Sequence, residues 1–329
     1  MVDFKLLVLD GAMAGGVAMS VDILAAAKML AAPSGAPTPT WSVCSVSGGP
    51  VRLQNGFTVD SERLTRARDP RGCTIVVPGL AVPRIATLLE RLQQPDCAAA
   101  ARVLDAHVRG GGALAASCSA VFLLHAAGAL RGRRVTTSWW LGPALAQLSP
   151  GCVVDTDRMV AVDGPVTTAG AAFAQADLML HLVAHRFGPA LAEAVTQRLL
   201  LDQRQGQSKF AVPEVLASGH ALVAQLTARL ESSLPHVPPI AALAAELCVS
   251  ERTLSRRVRS ATGKSTGSLV QSVRLRRARK LLQASRMTIE QVALAVGYRD
   301  ATALRRLMLK SAGSTPGRFR AASGVAGPR

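Results

Sequence analysis

Aromatic residues are nearly missing from this 329-residue chain: 3%, made up of three Trp, one Tyr and seven Phe. Yet AVILMFWYC residues reach 49%. The core must therefore be assembled from Ala, Leu and Val, and a disordered or fibrous chain is excluded. No uncharged apolar run approaches the roughly 18–20 residues a membrane-spanning helix needs. The apolar N-terminus raises the question of a signal peptide, but Asp10 and Asp22 interrupt it, and its pattern is that of a strand followed by a helix. Cysteines are few and scattered, at 44, 73, 97, 118, 152 and 248, with no CxxC pair. In a chain of this length that spacing points to a reducing, cytoplasmic setting.

Acidic residues are also scarce, and the shortage is local. Against 38 Lys+Arg stand 21 Asp+Glu, a net charge of +17. Residues 210–329 carry 19 of the basic residues and only 6 of the acidic ones, leaving 19 against 15 for residues 1–209. The length suits two domains, and a polyanionic partner belongs to the second.

That basic region contains two copies of one pattern. Ile240, Leu243, Ala244 and Leu247 match Ile289, Val292, Ala293 and Val296 at an offset of 49; after a turn the offset becomes 50, so that Leu254, Arg256, Val258 and Gly263 match Leu304, Arg306, Met308 and Gly313. Each copy reads as an apolar-striped helix, a short break and a second amphipathic helix, which is helix-turn-helix grammar. Ser250 and Asp300 stand where the second helices start. The candidate DNA-reading residues are Ser250, Arg252, Thr253, Ser255, Arg256, Arg257 and Arg259 in the first copy, and Arg299, Asp300, Thr302, Arg305 and Arg306 in the second. Arg256 and Arg306, flanked by core apolars, also fit an intradomain bridge. Between the copies, 268–285 reads as a linking helix with Leu275, Ala278, Leu281 and Leu282 on one face and Arg274, Arg276, Arg277, Arg279 and Lys280 around it. A solvated charged surface is the plain alternative for one such run; its repetition with the turn favours DNA. On Ser250–Leu254, the RLRRARKLL run at 274–282, Val296-Gly297-Tyr298 and Gly313-Ser314-Thr315-Pro316, residues 235–323 resemble the DNA-binding domain of AraC-type transcription regulators. Leu304 and Met308 depart from that family's usual aromatics, and Thr266 from its frequent Pro.

In the first two-thirds, short apolar runs alternate with helical patterns. Phe4–Leu9, Trp41–Val46, Cys73–Val77 and Ala113–Ser117 read as buried strands; Val21–Leu30, Ile85–Leu92, Ala98–Val108 and Val121–Ala127 read as helices. A hairpin is expected over 152–163, and helices near 171–187 and 189–201. The alternation predicts an α/β domain, a flavodoxin-like parallel sheet with helices on both faces, followed by an all-α double helix-turn-helix domain. The strand ending at Ser117 runs directly into Cys118 and a helix, a placement that lowers a thiol pKa and aims backbone N–H groups at an anion. No base is evident beside it: His125 lies two turns up the same helix, His107 precedes the strand, and histidines 181, 185, 220 and 236 would have to arrive by folding. Packing is the plain reading of a lone Cys there.

Further residues carry a second resemblance. Asp10-Gly11, Asp22, Ser117-Cys118 with Phe122-Leu123-Leu124, Thr136-Thr137-Ser138-Trp139 and Asp163-Gly164 resemble a PfpI-type, class I glutamine-amidotransferase-like domain. Its fusion to an AraC-type domain is similar to the GlxA family of regulators. The resemblance implies a Cys-His dyad, but Ser138 stands where many members have His, and Ala120 where a Gly is common. No hydrolase activity is therefore expected. Asp22, Cys118, Ser119, Ser138 and Trp139 are the candidate pocket lining. Asp177, His181 and His185 fall at i, i+4, i+8, but an ordinary amphipathic helix explains them, and no metal is expected. Gly11, Gly15 and Gly16 after a strand do not form a dinucleotide fingerprint.

The organisation read from sequence is a sensor domain over 1–201, a linker and connecting helix over 202–233, a DNA-binding domain over 234–323 and a disordered tail over 324–329. The expected function is a ligand-responsive, sequence-specific transcription regulator, a homodimer bound to double-stranded DNA and to a small-molecule effector, without a cofactor. The alternatives are an amidotransferase-class enzyme with an accessory nucleic-acid module, or a nonspecific architectural binder.

Overall fold

Strand-helix alternation in the first part of the chain becomes a covered sheet. A computed structural model describes residues 2–65, 70–201, 221–262, 265–312 and 315–322. The chain divides into two units, Met1–Gln207 and Ser208–Arg329.

The first unit is built on an eight-stranded sheet. Its strands are β1 (Phe4–Leu7), β2 (Trp41–Ser45), β3 (Gly49–Arg52), β4 (Thr58–Arg63), β5 (Thr74–Val77), β6 (Ala113–Ser117), β9 (Val160–Asp163) and β10 (Val166–Ala169), while β7 (Arg134–Val135) and β8 (Val153–Val154) form a separate parallel pair. The spatial order is β3-β4-β2-β1-β5-β6-β10-β9. Pairing is parallel from β4 through β10 and antiparallel only at the two edges, β3–β4 and β9–β10. Period-two alternation splits the apolar residues between two cores. Leu7, Ile75, Val77, Leu114 and Ala116 face one core, with residues of helices α2 (Ile85–Leu92), α3 (Pro95–Arg109), α4 (Val121–Ala126) and α5 (Gly142–Leu148). Phe4, Leu6, Val76 and Ala115 face the other, with α1 (Ala14–Leu30), α6 (Ala174–Phe187) and α7 (Pro189–Arg198). The sheet is therefore mixed but parallel-dominant, with helices on both faces.

Two local expectations are corrected. The hairpin lies not at 152–163 but at β9–β10, where Gly164 adopts φ +58 in the turn between Asp163 and Val166. Helix α1 begins at Ala14 rather than Val21; Gly15 and Gly16, poor helix formers, hide its first turn from propensity.

The second unit is all-helical: α8 (Ala221–Ser232), α9 (Ile240–Glu246), α10 (Glu251–Thr262), α11 (Thr266–Ala284), α12 (Ile289–Ala295), α13 (Ala301–Ala312) and α14 (Pro316–Ala322). It has two cores. Leu243, Leu254 and Val258 pack with Val223 and Leu226 of α8 and with Leu269 and Val273 at the start of α11. Val292, Leu304 and Met308 pack with Leu275, Ala278 and Leu282 at the end of α11. Helix α11 thus belongs to both. The segment 202–215 read as a linker, and the tail 324–329, lie outside the described residues. No helix among the described residues is long and apolar enough to cross a membrane.

Candidate functional site

At the end of β6 the chain makes a strained turn. Cys118 has φ +55, a left-handed value that costs a non-glycine residue on the order of 1 kcal/mol. Its N–H donates to the Gly170 carbonyl at 2.7 Å, and its carbonyl accepts from Thr137 Oγ1 at 2.6 Å, so both sides of the turn are held. Gly79 makes room for it: a Cβ there would sit 2.9 Å from Cys118 Cβ. The Ser138 hydroxyl donates to the Cys118 sulfur at 3.0 Å, and the Ser119 hydroxyl donates to the Leu80 carbonyl at 2.6 Å. Cys118 is only 6% exposed, and Ser117, Ser119 and Ser138 are fully buried. The Ser117 hydroxyl has no hydrogen-bond partner among the described residues.

This environment corrects the expected acidity of the thiol. Burial pushes the Cys118 pKa up; hydrogen bonds from Ser138 and Ser119 oppose that shift without reversing it. A thiol in this state is a poor nucleophile. No histidine contributes to its electrostatics. Cys118, Ser119 and Ser138 are brought together and Trp139 is half-buried, but Asp22 is exposed on α1. The α1 residue that meets the strand-end loop is Gly16, where a Cβ would stand 3.4 Å from Pro78. The rings of His181 and His185 stack at 6.3 Å, and among the described residues no three metal-ligating side chains cluster.

The second unit places its candidate residues on two exposed helix faces. On α10, Leu254 and Val258 are buried while Arg252, Ser255, Arg256, Arg257 and Arg259 are exposed. On α13, Ala301, Leu304 and Met308 are buried while Thr302, Arg305 and Arg306 are exposed, and Arg299 is exposed in the preceding turn. Ser250 and Asp300 stand exposed at the helix starts, which they cap. The Ser250 hydroxyl accepts from the Thr253 N–H at 3.2 Å and donates to the half-buried Thr253 hydroxyl, while the Asp300 carboxylate accepts from the N–H groups of Thr302 and Ala303 at 2.6 and 3.2 Å. Those backbone donors hold Asp300 below the usual carboxylate pKa. Among the described residues no ion pair engages Arg256 or Arg306, whereas Arg305 pairs with Glu290 of α12 at 3.1 Å.

Several linking-helix arginines are structural. Arg274 lies over the Tyr298 ring at 5.3 Å, Arg279 over Phe319 at 6.0 Å, and Arg276 pairs with Glu231 of α8. Charge counting could not separate these from solvent-facing arginines, since the aromatic and acidic partners lie far off in sequence. The 49-residue offset did carry one usable signal, pairing Cys248 (φ +53) with Gly297 (φ +85) at equivalent turn positions.

Comparison with known proteins agrees with both halves. Residues 40–185 match the DJ-1/PfpI family and residues 243–322 match a helix-turn-helix domain family. The chain joins a DJ-1/PfpI domain to a helix-turn-helix domain. The HTH-type transcriptional regulator CdhR of Pseudomonas aeruginosa is 28% identical over 324 residues, 97% of this chain and 91% of that protein. The HTH-type transcriptional regulator GlxA of Rhizobium meliloti is 29% identical over 209 residues, 63% of this chain and 64% of that one. A candidate transcriptional regulator from Vibrio parahaemolyticus, 18% identical, superposes with a TM-score of 0.50 over 60% of this chain and 98% of its own. That likeness concerns the fold.

Proposed function

We propose that this chain is a sequence-specific DNA-binding transcription regulator whose DJ-1/PfpI domain senses a small molecule and performs no catalysis. The observation that carries the reading is the pair of exposed, arginine-bearing helices α10 and α13, each held on its own core and joined by α11. Two such helices read successive major grooves of double-stranded DNA, with guanidinium groups available to guanine edges and to phosphates. Relatives that span most of this chain are transcriptional regulators by name, which supports the same reading. The protein acts in the cytoplasm as a homodimer, and effector binding in the first unit shifts the population competent for DNA.

The elbow supports sensing over turnover. A serine hydroxyl beside the thiol cannot accept its proton near neutral pH, and here that hydroxyl donates to the sulfur. The effector pocket is assigned to the elbow region around Cys118, Ser119, Ser138 and Trp139, without Asp22. Selection of genomic fragments with the full-length protein tests the first part: a defined sequence is recovered, and Arg252→Ala or Arg306→Ala loses it. Equal retention of random DNA at physiological salt would leave only a nonspecific binder. Amide, glyoxal or peptide turnover that disappears in Cys118→Ala would restore the enzyme reading.

A further inference from the structure

The two DNA-facing helices are not chemically equivalent. On α10 the i, i+4, i+7 face opposite the buried Leu254 and Val258 carries Arg252, Arg256 and Arg259. Under the 50-residue offset the corresponding face of α13 carries Thr302, Arg306 and Leu309. All six are exposed, and Leu309 keeps 57% of its surface in solvent while Leu304 and Met308 on the opposite face of the same helix are fully buried. One face therefore presents three guanidinium groups and the other presents one.

The residues beside these faces widen the difference. Arg305, flanking the second face, is held by Glu290, and Arg306 stands close enough to Asp300 to help keep that carboxylate ionised. Turning Arg305 toward a phosphate leaves Glu290 exposed to the same polyanion. On the first face no ion pair among the described residues engages Arg252, Arg256 or Arg259, and the acidic residue of α10, Glu251, is exposed in its first turn and is not one of the three.

Resting on the DNA-binding reading above, we infer that α10 anchors the protein electrostatically, while α13 reads its groove through an apolar contact made by Leu309. The apolar group a major groove offers is the C5-methyl of thymine. The operator is accordingly asymmetric: one half-site held by charge, the other requiring a thymine under Leu309.

The test uses the full-length protein on its selected site. Arg259→Ala should lower the slope of log affinity against log salt by about 0.9, the value for one lost phosphate contact. Leu309→Ala should leave that slope unchanged and weaken binding roughly fourfold, about the worth of burying one methyl-sized group. Replacing the thymidines of the second half-site one at a time by deoxyuridine, which lacks the methyl, should reproduce that loss at one position, and Leu309→Ala should add nothing further there. Equal salt slopes for the two variants would overturn the assignment, as would an undiminished Leu309→Ala loss on every deoxyuridine site. A wild-type protein with no preference over random DNA would instead remove the DNA-reading function itself. Unchanged thermal midpoints for both variants, expected for exposed side chains, separate these outcomes from misfolding.

Discussion

At the scale of single residues, the protein's cysteines differ by environment more than by position. Cys118 stands at a turn that in principle activates a thiol, yet burial dominates and raises its pKa. Cys97, buried beneath Arg91, is pushed to about 11. Cys248 is exposed. Brief alkylation at pH 7.5, read by peptide mass spectrometry, is expected to label Cys248 while leaving Cys118 and Cys97 largely unmodified. Rapid labelling of Cys118 would mean that its seal opens in solution. The elbow was legible in the sequence because a strand running straight into Cys118 needs no distant information. Its acidity was not, because that depends on Ser138 and Gly79, brought from loops 20 and 39 residues away.

At the scale of elements, the helix-turn-helix units show how a repeat can hide unequal turns. Gly297 has φ +85, and a Cβ there would stand 2.3 Å from the Pro235 carbonyl oxygen, a backbone atom that cannot easily yield. Gly297→Ala should therefore destabilise the second unit by at least 1–3 kcal/mol, combining left-handed strain with a clash. At the equivalent turn, Cys248 already tolerates φ +53, and Cys248→Gly should change stability by no more than about 1 kcal/mol, in the stabilising direction if strain outweighs chain entropy. Chemical denaturation followed by helical circular dichroism checks both. Element types were readable wherever periodicity was strong: β6 and α2 fall on the expected residues. The strands β3 and β4 at one side of the sheet and the helix α5 were not anticipated, because mostly exposed strand residues and a Gly-Pro start carry little periodic signal. The arginine run on α11 was legible as charge but not as packing. Its rings and carboxylates, Tyr298, Phe319 and Glu231, are supplied by other helices.

At the scale of the whole molecule, the desolvated histidines lie in the first unit and most of the excess positive charge in the second. The first unit buries His107, whose Nε2–H donates to the Cys73 carbonyl at 3.1 Å; burial lowers its pKa, as it does for His181. A folded state with a depressed histidine pKa binds fewer protons than the unfolded chain. This contribution to stability is complete above the unfolded value of about 6.5 and shrinks as pH falls below it. The thermal midpoint of the first unit should therefore drop between pH 7.5 and 5.5, before most carboxylates titrate. His107→Gln, which keeps a donor for Cys73, should reduce that drop while His181 sustains the rest. A midpoint flat across this range would show that neither ring is desolvated in solution.

The single helix α11 has one more consequence. Because its first half is fixed in one core and its second half in the other, it acts as an axle that sets the phase between two gears. One inserted residue near its middle would rotate the second helix-turn-helix relative to the first by about 100° and carry α13 out of register with any straight groove. Seven inserted residues, close to two full turns, would restore the phase within about 20° and lengthen the axle by about 10 Å. On its original site such a protein should still bind less tightly than the wild type in a mobility-shift titration, because the restored phase leaves the two recognition helices about 10 Å too far apart.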